Sequence, residues 1–155
     1  MVRNLTGKHP SYFESNLQLR DCSDEVYDFV EKEMNRTGLR IAKSVKVKNG
    51  YDYFTSDNGL TRALGKKLQQ RFGGNLIETA TLHTQKKDKQ LFRVTVMFRE
   101  AGFNKNDAVD YQGEEYKVKI MGKDIMLQHT KTGKKVHVKY NKMREIKKRW
   151  MMKNS

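Results

Sequence analysis

Apolar and polar residues alternate near the start of the chain, which is the pattern of a half-buried strand. We predict this strand over Tyr12 to Leu19, with an apolar face made of Phe13, Leu17 and Leu19. Apolar residues then recur three and four positions apart, which predicts a helix. The apolar stripe of this helix consists of Val26, Phe29, Val30 and Met34. Asp21 or Ser23 can cap its beginning, and Gly38 is expected to end it.

A hairpin and a second helix are predicted next. Alternation resumes at Ile41, and Asn49-Gly50 is a strong hairpin signal, because both turn positions of such a hairpin need positive φ. Ser56 is suited to cap the second helix, and Gly73-Gly74 to close it. The apolar stripe of the second helix consists of Leu60, Ala63, Leu64, Leu68 and Phe72.

Two further strands, Leu76 to Leu82 and Leu91 to Phe98, flank the polar loop His83 to Gln90. One face of the second of these strands is made of Phe92, Val94, Val96 and Phe98. The order is therefore β-α-β-β-α-β-β. It predicts an α+β fold with two helices on one face of an antiparallel sheet, and we assign this domain to residues 9–100.

From Ala101 onward the pattern changes to short strands separated by glycine turns. The predicted strands are Asp107 to Tyr111, Glu114 to Met121, Ile125 to Thr130 and Lys134 to Tyr140. Short, regularly spaced strands predict a small meander or a β-barrel, which we assign as an SH3-like or OB-like barrel over residues 101–140. Met143, Ile146 and Trp150 stand at a loose helical spacing, which predicts a basic C-terminal helix or tail over residues 141–155.

Composition adds a strong charge bias to this picture. The 155 residues include 32 Lys and Arg against 18 Asp and Glu, a formal net charge of +14. Such a surplus indicates a polyanionic partner, nucleic acid above all. No apolar run approaches the ~20 residues of a membrane span, and no membrane partner is expected. The single cysteine, Cys22, excludes an internal disulfide and favours a reducing, cytoplasmic setting.

The basic residues form four clusters: on the second helix, in the following loop, in the barrel hairpin and in the tail. The candidate RNA-binding residues are Arg62, Lys66, Lys67, Arg71, Lys86, Lys87, Lys89, Arg93, Lys131, Lys134, Lys135, Lys142, Arg144, Lys147, Lys148 and Arg149. The alternative for each cluster is an ordinary solvated face. If about five phosphates are neutralised, log K should fall with log salt at a slope of roughly −3.5 to −4.5.

Aromatic residues and candidate catalytic groups give weaker signals. Tyr51, Tyr53 and Phe54 can stack on bases but are more typical of half-buried strand positions, and Phe92, Phe98 and Tyr116 are expected in the core. Glu114 and Glu115 are neighbours on a strand and point to opposite faces, so they do not form a facing carboxylate pair. The histidines lie in different elements. The sequence therefore predicts no enzyme, no metal site and no cofactor.

Several blocks of the sequence resemble one protein family. They are HPSYFESNLQLR from His9, NGYDYFTSDNGLTRALGKKLQQRFGGNLIETATL from Asn49, LFRVTVMFRE from Leu91, DAVDYQGEEYKVKIMG from Asp107 and TGKKVHV from Thr132. They resemble the adapter that binds the large ribosomal subunit and, in eukaryotes, exports it from the nucleus. That family is named for nonsense-mediated mRNA decay protein three, and archaea have shorter versions.

The resemblance covers about residues 9–140 and implies a fold and partners. It implies an α/β domain like a ribosomal protein and a β-barrel domain like translation factor five A, both along the intersubunit face of the large subunit. It also implies that rRNA and neighbouring ribosomal proteins are the partners of the basic clusters. No catalytic residue is implied, because the activity of the family is binding.

Two family features are missing: the CxxC pairs of a zinc-binding amino-terminal domain and a leucine-rich export signal. We therefore expect an excised central fragment or a reduced, archaeal-type protein that lacks the zinc domain. The expected function is monomeric, cytoplasmic binding of the large subunit in late maturation, translational control or quality control. The alternatives are a general RNA-binding regulator, and a protein-interaction module whose basic surface meets acidic partners.

Overall fold

The structure, a computed structural model, describes residues 12–86 and 89–149, without the side chains of residues 83–91. The chain divides into two compact units. The first unit contains residues 12–71 and 76–100, and the second contains residues 72–75 and those from 101 onward. Within the described ranges, each helix is too short or too polar to cross a bilayer.

The first unit is an α+β structure built on one five-stranded sheet. Its elements are β1 (Ser15–Arg20), α1 (Asp24–Thr37), β2 (Ile41–Val47), β3 (Gly50–Thr55), α2 (Asn58–Phe72), β4 (Gly74–Lys86) and β5 (Lys89–Glu100). The strand order is β2-β3-β1-β5-β4. β1 is antiparallel to β3 but parallel to β5, so the predicted antiparallel sheet is mixed. The predicted succession of strands and helices is confirmed.

Both helices pack on the same face of this sheet. Leu17 and Leu19 of β1 are fully buried there, because alternate residues of a strand point to the same side. The remaining buried apolar residues of this layer include Val26, Val30, Met34, Leu64, Leu68, Val94, Val96 and Phe98. α2 lies close to the sheet at Gly65, where a Cβ atom would come within 2.6 Å of Val96 Cγ1. Glycine is therefore required at this helix position.

The helix ends differ in part from the prediction. Gly38 ends α1 in the left-handed conformation, as predicted, and its N–H donates to the Met34 carbonyl. Ser23 occupies the N-cap of α1 without a capping hydrogen bond from its side chain. The cap of α2 is Asp57, whose Oδ1 accepts from the Leu60 N–H at 2.9 Å. Ser56 was the wrong choice for this cap.

Ser56 instead binds the backbone immediately before the hairpin strand β2. Its side chain is 2% exposed, and its Oγ accepts a hydrogen bond from the Arg40 N–H at 3.0 Å. In the apolar stripe of α2, Leu64 and Leu68 are buried as predicted, whereas Ala63 is exposed. The helix therefore buries a narrower stripe than its spacing predicted.

The β2–β3 hairpin is confirmed, but its turn lies one residue earlier than predicted. Val47 pairs with Gly50, so the two turn residues are Lys48 and Asn49, and neither adopts positive φ. Gly50 is the first residue of β3, and a Cβ atom there would lie 1.8 Å from the Leu19 carbonyl oxygen. Glycine is needed for this close approach between strands and not for the turn.

Two aromatic residues lie where simple alternation does not place them. The chain bends at Glu14, so Phe13 leaves the face of Leu17 and contacts Phe54 on the opposite face, with ring centroids 4.9 Å apart. Phe92 is 44% exposed, because β5 begins several residues before Val94, the first position that pairs with β1. Its predicted place in the core was wrong.

The second unit is a five-stranded antiparallel sheet with a 3₁₀ helix. Its elements are β6 (Ala108–Tyr111), β7 (Glu114–Met121), β8 (Ile125–His129), β9 (Lys135–Val138), the 3₁₀ helix (Tyr140–Glu145) and β10 (Ile146–Lys148). The order is β10-β6-β7-β8-β9, with β10 and β9 at the two edges. The predicted strands are present, but the sheet is not a closed barrel. Its buried apolar residues are Ala101, Phe103, Val109, Tyr116, Val118, Ile125, Leu127, Val138, Tyr140, Met143 and Ile146.

From Tyr140 to Lys148 the tail forms the 3₁₀ helix and a strand in place of the predicted C-terminal helix, and the last described residue, Arg149, is helical. Met143 and Ile146 are both buried, at 7% and 5% exposure. Ile146 achieves this as a strand residue opposite Tyr111. An apolar pair three residues apart therefore fits a 3₁₀ turn followed by a strand as well as it fits an α-helix. The part of the prediction from residue 150 onward lies outside the described residues.

Candidate functional site

The basic cluster on α2 is partly engaged by acidic and aromatic side chains of the first unit. Lys67 Nζ lies 2.7 Å from Glu33 Oε1 on α1. Arg62 Nε is 3.9 Å from Glu78 on β4, and the Arg71 guanidinium lies 5.1 Å from the centre of the Phe29 ring. All four side chains of the cluster are nevertheless exposed, and Lys66 is the fourth member. Part of the positive charge of α2 is therefore paired within the unit while the side chains still face solvent.

Glu33 connects the two helices. It accepts hydrogen bonds from Arg36 at 2.9 and 3.0 Å and from Lys67 at 2.7 Å. The hydrogen bonds from Arg36, and then those from Lys67, lower the pKa of the Glu33 carboxyl to about 2. Glu33 is thus ionised across the physiological range and pairs with Lys67, one of the cations that the sequence assigned to RNA.

The loop cluster is described only in part. Lys87 lies outside the described residues, and the side chains of Lys86 and Lys89 lie outside them as well. Arg93 is on the face of the first sheet opposite α1 and α2, which we call the open face. Its Cζ lies 4.2 Å from the centre of the Phe13 ring.

The open face carries the strand residues that alternate with the buried ones. On β1 these are Asn16, Gln18 and Arg20, and on β5 they are Arg93, Thr95, Met97 and Arg99. Phe54 of β3 pairs with Asn16, and Lys43 of β2 pairs with Phe54, which places both on the same face. Sequence analysis named Phe54 as able to stack on bases but did not join it to Phe13, because Phe13 reaches this face only through the bend at Glu14.

The hairpin cluster of the second unit is fully presented to solvent. Lys131, Lys134 and Lys135 are all exposed, in the turn between β8 and β9 and at the start of β9. His129 holds this turn: its Nδ1 accepts hydrogen bonds from the backbone N–H groups of Lys131 at 3.2 Å and Thr132 at 3.1 Å. The acceptor role of Nδ1 assigns the ring proton to Nε2, which lies 3.5 Å from Glu114.

The tail cluster is divided between exposed and paired cations. Lys142, Arg144 and Lys147 are exposed. Lys148 Nζ lies 3.5 Å from Asp107. Arg149 bridges two acidic residues, with NH1 at 2.5 Å from Asp110 and Nε at 3.4 Å from Glu115. These pairs fasten β10 to β6 and β7, so Lys148 and Arg149 serve the fold of the second unit.

The charge is distributed unevenly along the sequence. Residues 12–100 contain sixteen Lys and Arg against twelve Asp and Glu, a net charge of +4. Residues 101–149 contain thirteen Lys and Arg against six Asp and Glu, a net charge of +7 in about half the length. The density of positive charge is therefore highest in the second unit.

The candidate catalytic groups are engaged in structural contacts. Glu114 lies beside His129, while Glu115 meets Arg149 on the other face of β7, as the alternation predicted. Burial raises the pKa of the Cys22 thiol to about 11, so it is a poor nucleophile. Among the residues that the structure describes, no group of three or more His, Cys, Asp or Glu is arranged to hold a metal ion.

Comparison with known proteins supplies the context for this geometry. The family model described as NMD3, second domain, matches residues 12–99, more than half of the chain. The chain belongs to the NMD3 family. This match spans almost the whole of the first unit. Among curated proteins, no match to the chain was found.

The NMD3 family is associated with the export and binding of ribosomal subunits. The resemblance stated from the sequence is therefore confirmed at the level of the family, and with it an association with the large ribosomal subunit. The NMD3 match ends at residue 99, so the most basic part of the chain lies beyond it.

Proposed function

We propose that this chain is a non-enzymatic, monomeric, cytoplasmic protein that binds the large ribosomal subunit through its rRNA and adjoining ribosomal proteins. Its membership of the NMD3 family supports this proposal, and the exposed lysines of the second unit supply the chemistry. Ammonium and guanidinium groups that neutralise phosphates release condensed counterions, which is the main sequence-independent source of affinity for RNA.

The single observation that carries the proposal is the exposure of one basic set within residues 101–149, whose net charge is +7. This set, which we call the outward cations, consists of Lys131, Lys134, Lys135, Lys142, Arg144 and Lys147, all exposed. Phosphate contacts position a protein on folded RNA, while specificity comes from the shape of the RNA and from neighbouring proteins. Bound on the intersubunit face, the protein would prevent premature joining of the small subunit during late maturation, translational control or quality control.

Cosedimentation with purified ribosomal subunits tests the proposal. The full chain should migrate with large subunits in a sucrose gradient, migrate much less with small subunits, and inhibit the joining of the two. Binding should weaken as salt rises, because counterion release drives it.

Two results would contradict the proposal. Equal binding to large subunits, small subunits and unrelated folded RNAs would indicate a general RNA-binding regulator. Retention of all partners after RNase treatment would indicate a protein-interaction module.

A further inference from the structure

We propose that the open face of the first sheet binds a single-stranded segment of RNA by stacking a base on the platform formed by Phe13, Phe54 and Arg93. This inference rests on the proposed function and adds to it the kind of RNA that the first unit recognises. Phosphate contacts by the outward cations are insensitive to whether RNA is paired. A stacking platform is selective for bases that are free of a helix.

Four side chains form a continuous row across the open face. Lys43 Nζ lies 5.8 Å from the centre of the Phe54 ring. The Phe54 and Phe13 rings are 4.9 Å apart at an interplanar angle of 65°. Arg93 Cζ lies 4.2 Å from the centre of Phe13. The row thus has aromatic rings in its middle and a cation at each end, the combination that binds bases and the backbone around them.

The two sides of β3 distinguish this platform from ordinary core aromatics. Tyr51 and Tyr53 pair with Leu19 and Leu17 of β1, and so lie on the helix face. There the Tyr51 and Tyr53 rings stack on each other, 5.9 Å apart. Phe54 points the other way, toward Phe13. Of the aromatic residues of β3, it is Phe54 that the alternation places on the open face.

The charge of the open face suits a polyanion. Its acidic residue Asp52 lies 2.6 Å from Arg20, and Asp21 at the edge of the face pairs with Arg99. These pairs leave Lys43, which is exposed, beside the Phe54 ring, so its positive charge is available to a phosphate next to a stacked base. An extended RNA strand therefore fits this face better than an acidic protein helix does, because the helix has no bases to stack on the aromatic rings of the row.

The test compares a short unstructured RNA with a duplex of the same sequence, using the full chain and fluorescence anisotropy at several salt concentrations. The variant F54L keeps an apolar side chain of similar size but removes the aromatic ring. We expect it to lower the affinity for the single strand about tenfold, with an unchanged salt slope and unchanged duplex affinity. The matched control Y53L, one residue away on the opposite face, should bind both RNAs as the original chain does.

Two further measurements do not depend on the folding of F54L. K43A should reduce the salt slope for the single strand by about one, because it removes one phosphate contact. Photocrosslinking of a single strand that contains 4-thiouridine should label peptides that contain Phe13 or Phe54. Crosslinks confined to the second unit would overturn the proposal.

Three further outcomes also test the proposal. If the single strand binds no better to the original chain than to F54L, or does not bind at all, the proposal is wrong. If F54L lowers cosedimentation with large subunits but not binding of the single strand, the open face meets a protein and the proposal is again wrong. If large subunits are not bound while Phe54-dependent binding of the single strand persists, the proposed function fails and this inference stands.

Discussion

The two units of this protein use their positive charge in different ways. In the first unit, several cations pair with acidic groups of the same unit, as Lys67 does with Glu33, although lysines such as Lys46 remain exposed. In the second unit, ion pairs are concentrated where Arg149 and Lys148 fasten β10, and the outward cations remain exposed. The net charge of a segment therefore does not measure the charge that it offers to a partner. Two basic units of one chain can therefore differ in how many of their cations are paired internally and how many are exposed to a partner.

The largest effect is expected at Gly50, in the first unit. In G50A the new Cβ would lie 1.8 Å from the Leu19 carbonyl oxygen, so β1 and β3 must separate. We expect the free energy of unfolding to fall by about 3 kcal/mol or more, measured by denaturant titration. Hydrogen exchange should show the loss of protection in β1 and β3.

The matched control for G50A lies in the second unit. A Cβ atom on Gly102 would meet no atom within 4 Å, and its φ is not in the left-handed region. G102A should therefore change stability by less than about 0.5 kcal/mol. Equal stability of G50A and G102A would show that the close approach of β1 and β3 is not a constraint.

The next effect separates the exposed lysines of the second unit from those of the first. In K131A/K134A/K135A, three exposed cations of the second unit are removed. At ~0.1 M salt the affinity for rRNA should fall by on the order of 100-fold, and the salt slope should decrease by about 2. The control K32A/K46A/K48A removes three exposed lysines of the first unit and should bind much more nearly as the original chain does. Equal losses in both variants would abolish the distinction between the units.

The variant K148A/R149A removes paired cations of the second unit, for comparison with the exposed ones. It removes the ion pairs with Asp107, Asp110 and Glu115. The stability of the second unit should therefore fall by about 1 kcal/mol. The affinity for rRNA should fall far less than in the hairpin variant, K131A/K134A/K135A. A loss of affinity as large as that of the hairpin variant, without a loss of stability, would show that these cations contact RNA.

The smallest effect concerns Glu33, whose pKa is lowered from 4.5 to about 2. Because its folded pKa is below its unfolded value, Glu33 stabilises the protein above pH 4.5, and this contribution is lost as the pH falls toward 2. Side-chain NMR titration should show the low pKa, and E33Q should have a flatter dependence of stability on pH over this window. A Glu33 titration near its ordinary value would mean that Arg36 and Lys67 do not hold it in solution.

The sequence predicted the elements well because their apolar spacing is a local property. Helices and strands were found where residues such as Leu17, Leu64 and Val118 recur at the proper period. The turn of the first hairpin was misplaced because Gly50 is needed for the close approach to the Leu19 carbonyl on β1 and not for the turn. This carbonyl is distant along the chain, so the local sequence does not indicate it. The tail was predicted as a helix because the partner that makes Ile146 a strand residue, Tyr111, is not visible in the local pattern.

The candidate site was predictable to a similar degree. The exposure of the hairpin lysines could be predicted, since a polar glycine turn between short strands lies at the surface. The pairing of Arg149 with Asp110 could not, because it depends on which strands become neighbours. The row from Lys43 to Arg93 was also hidden, since it joins residues of four segments through tertiary contacts.

The central position of β1 has a consequence for how the chain folds as it is made. Ser15 pairs with Val94, 79 positions later, and this parallel ladder forms the middle of the first sheet. Such long-range pairing slows folding, because a long loop must close before its contacts form. During synthesis the edge of β1 that pairs with β5 stays unpaired until β5 has left the ribosomal tunnel. Until then the nascent chain presents a free strand edge, so this step is the one at which aggregation or chaperone capture would occur.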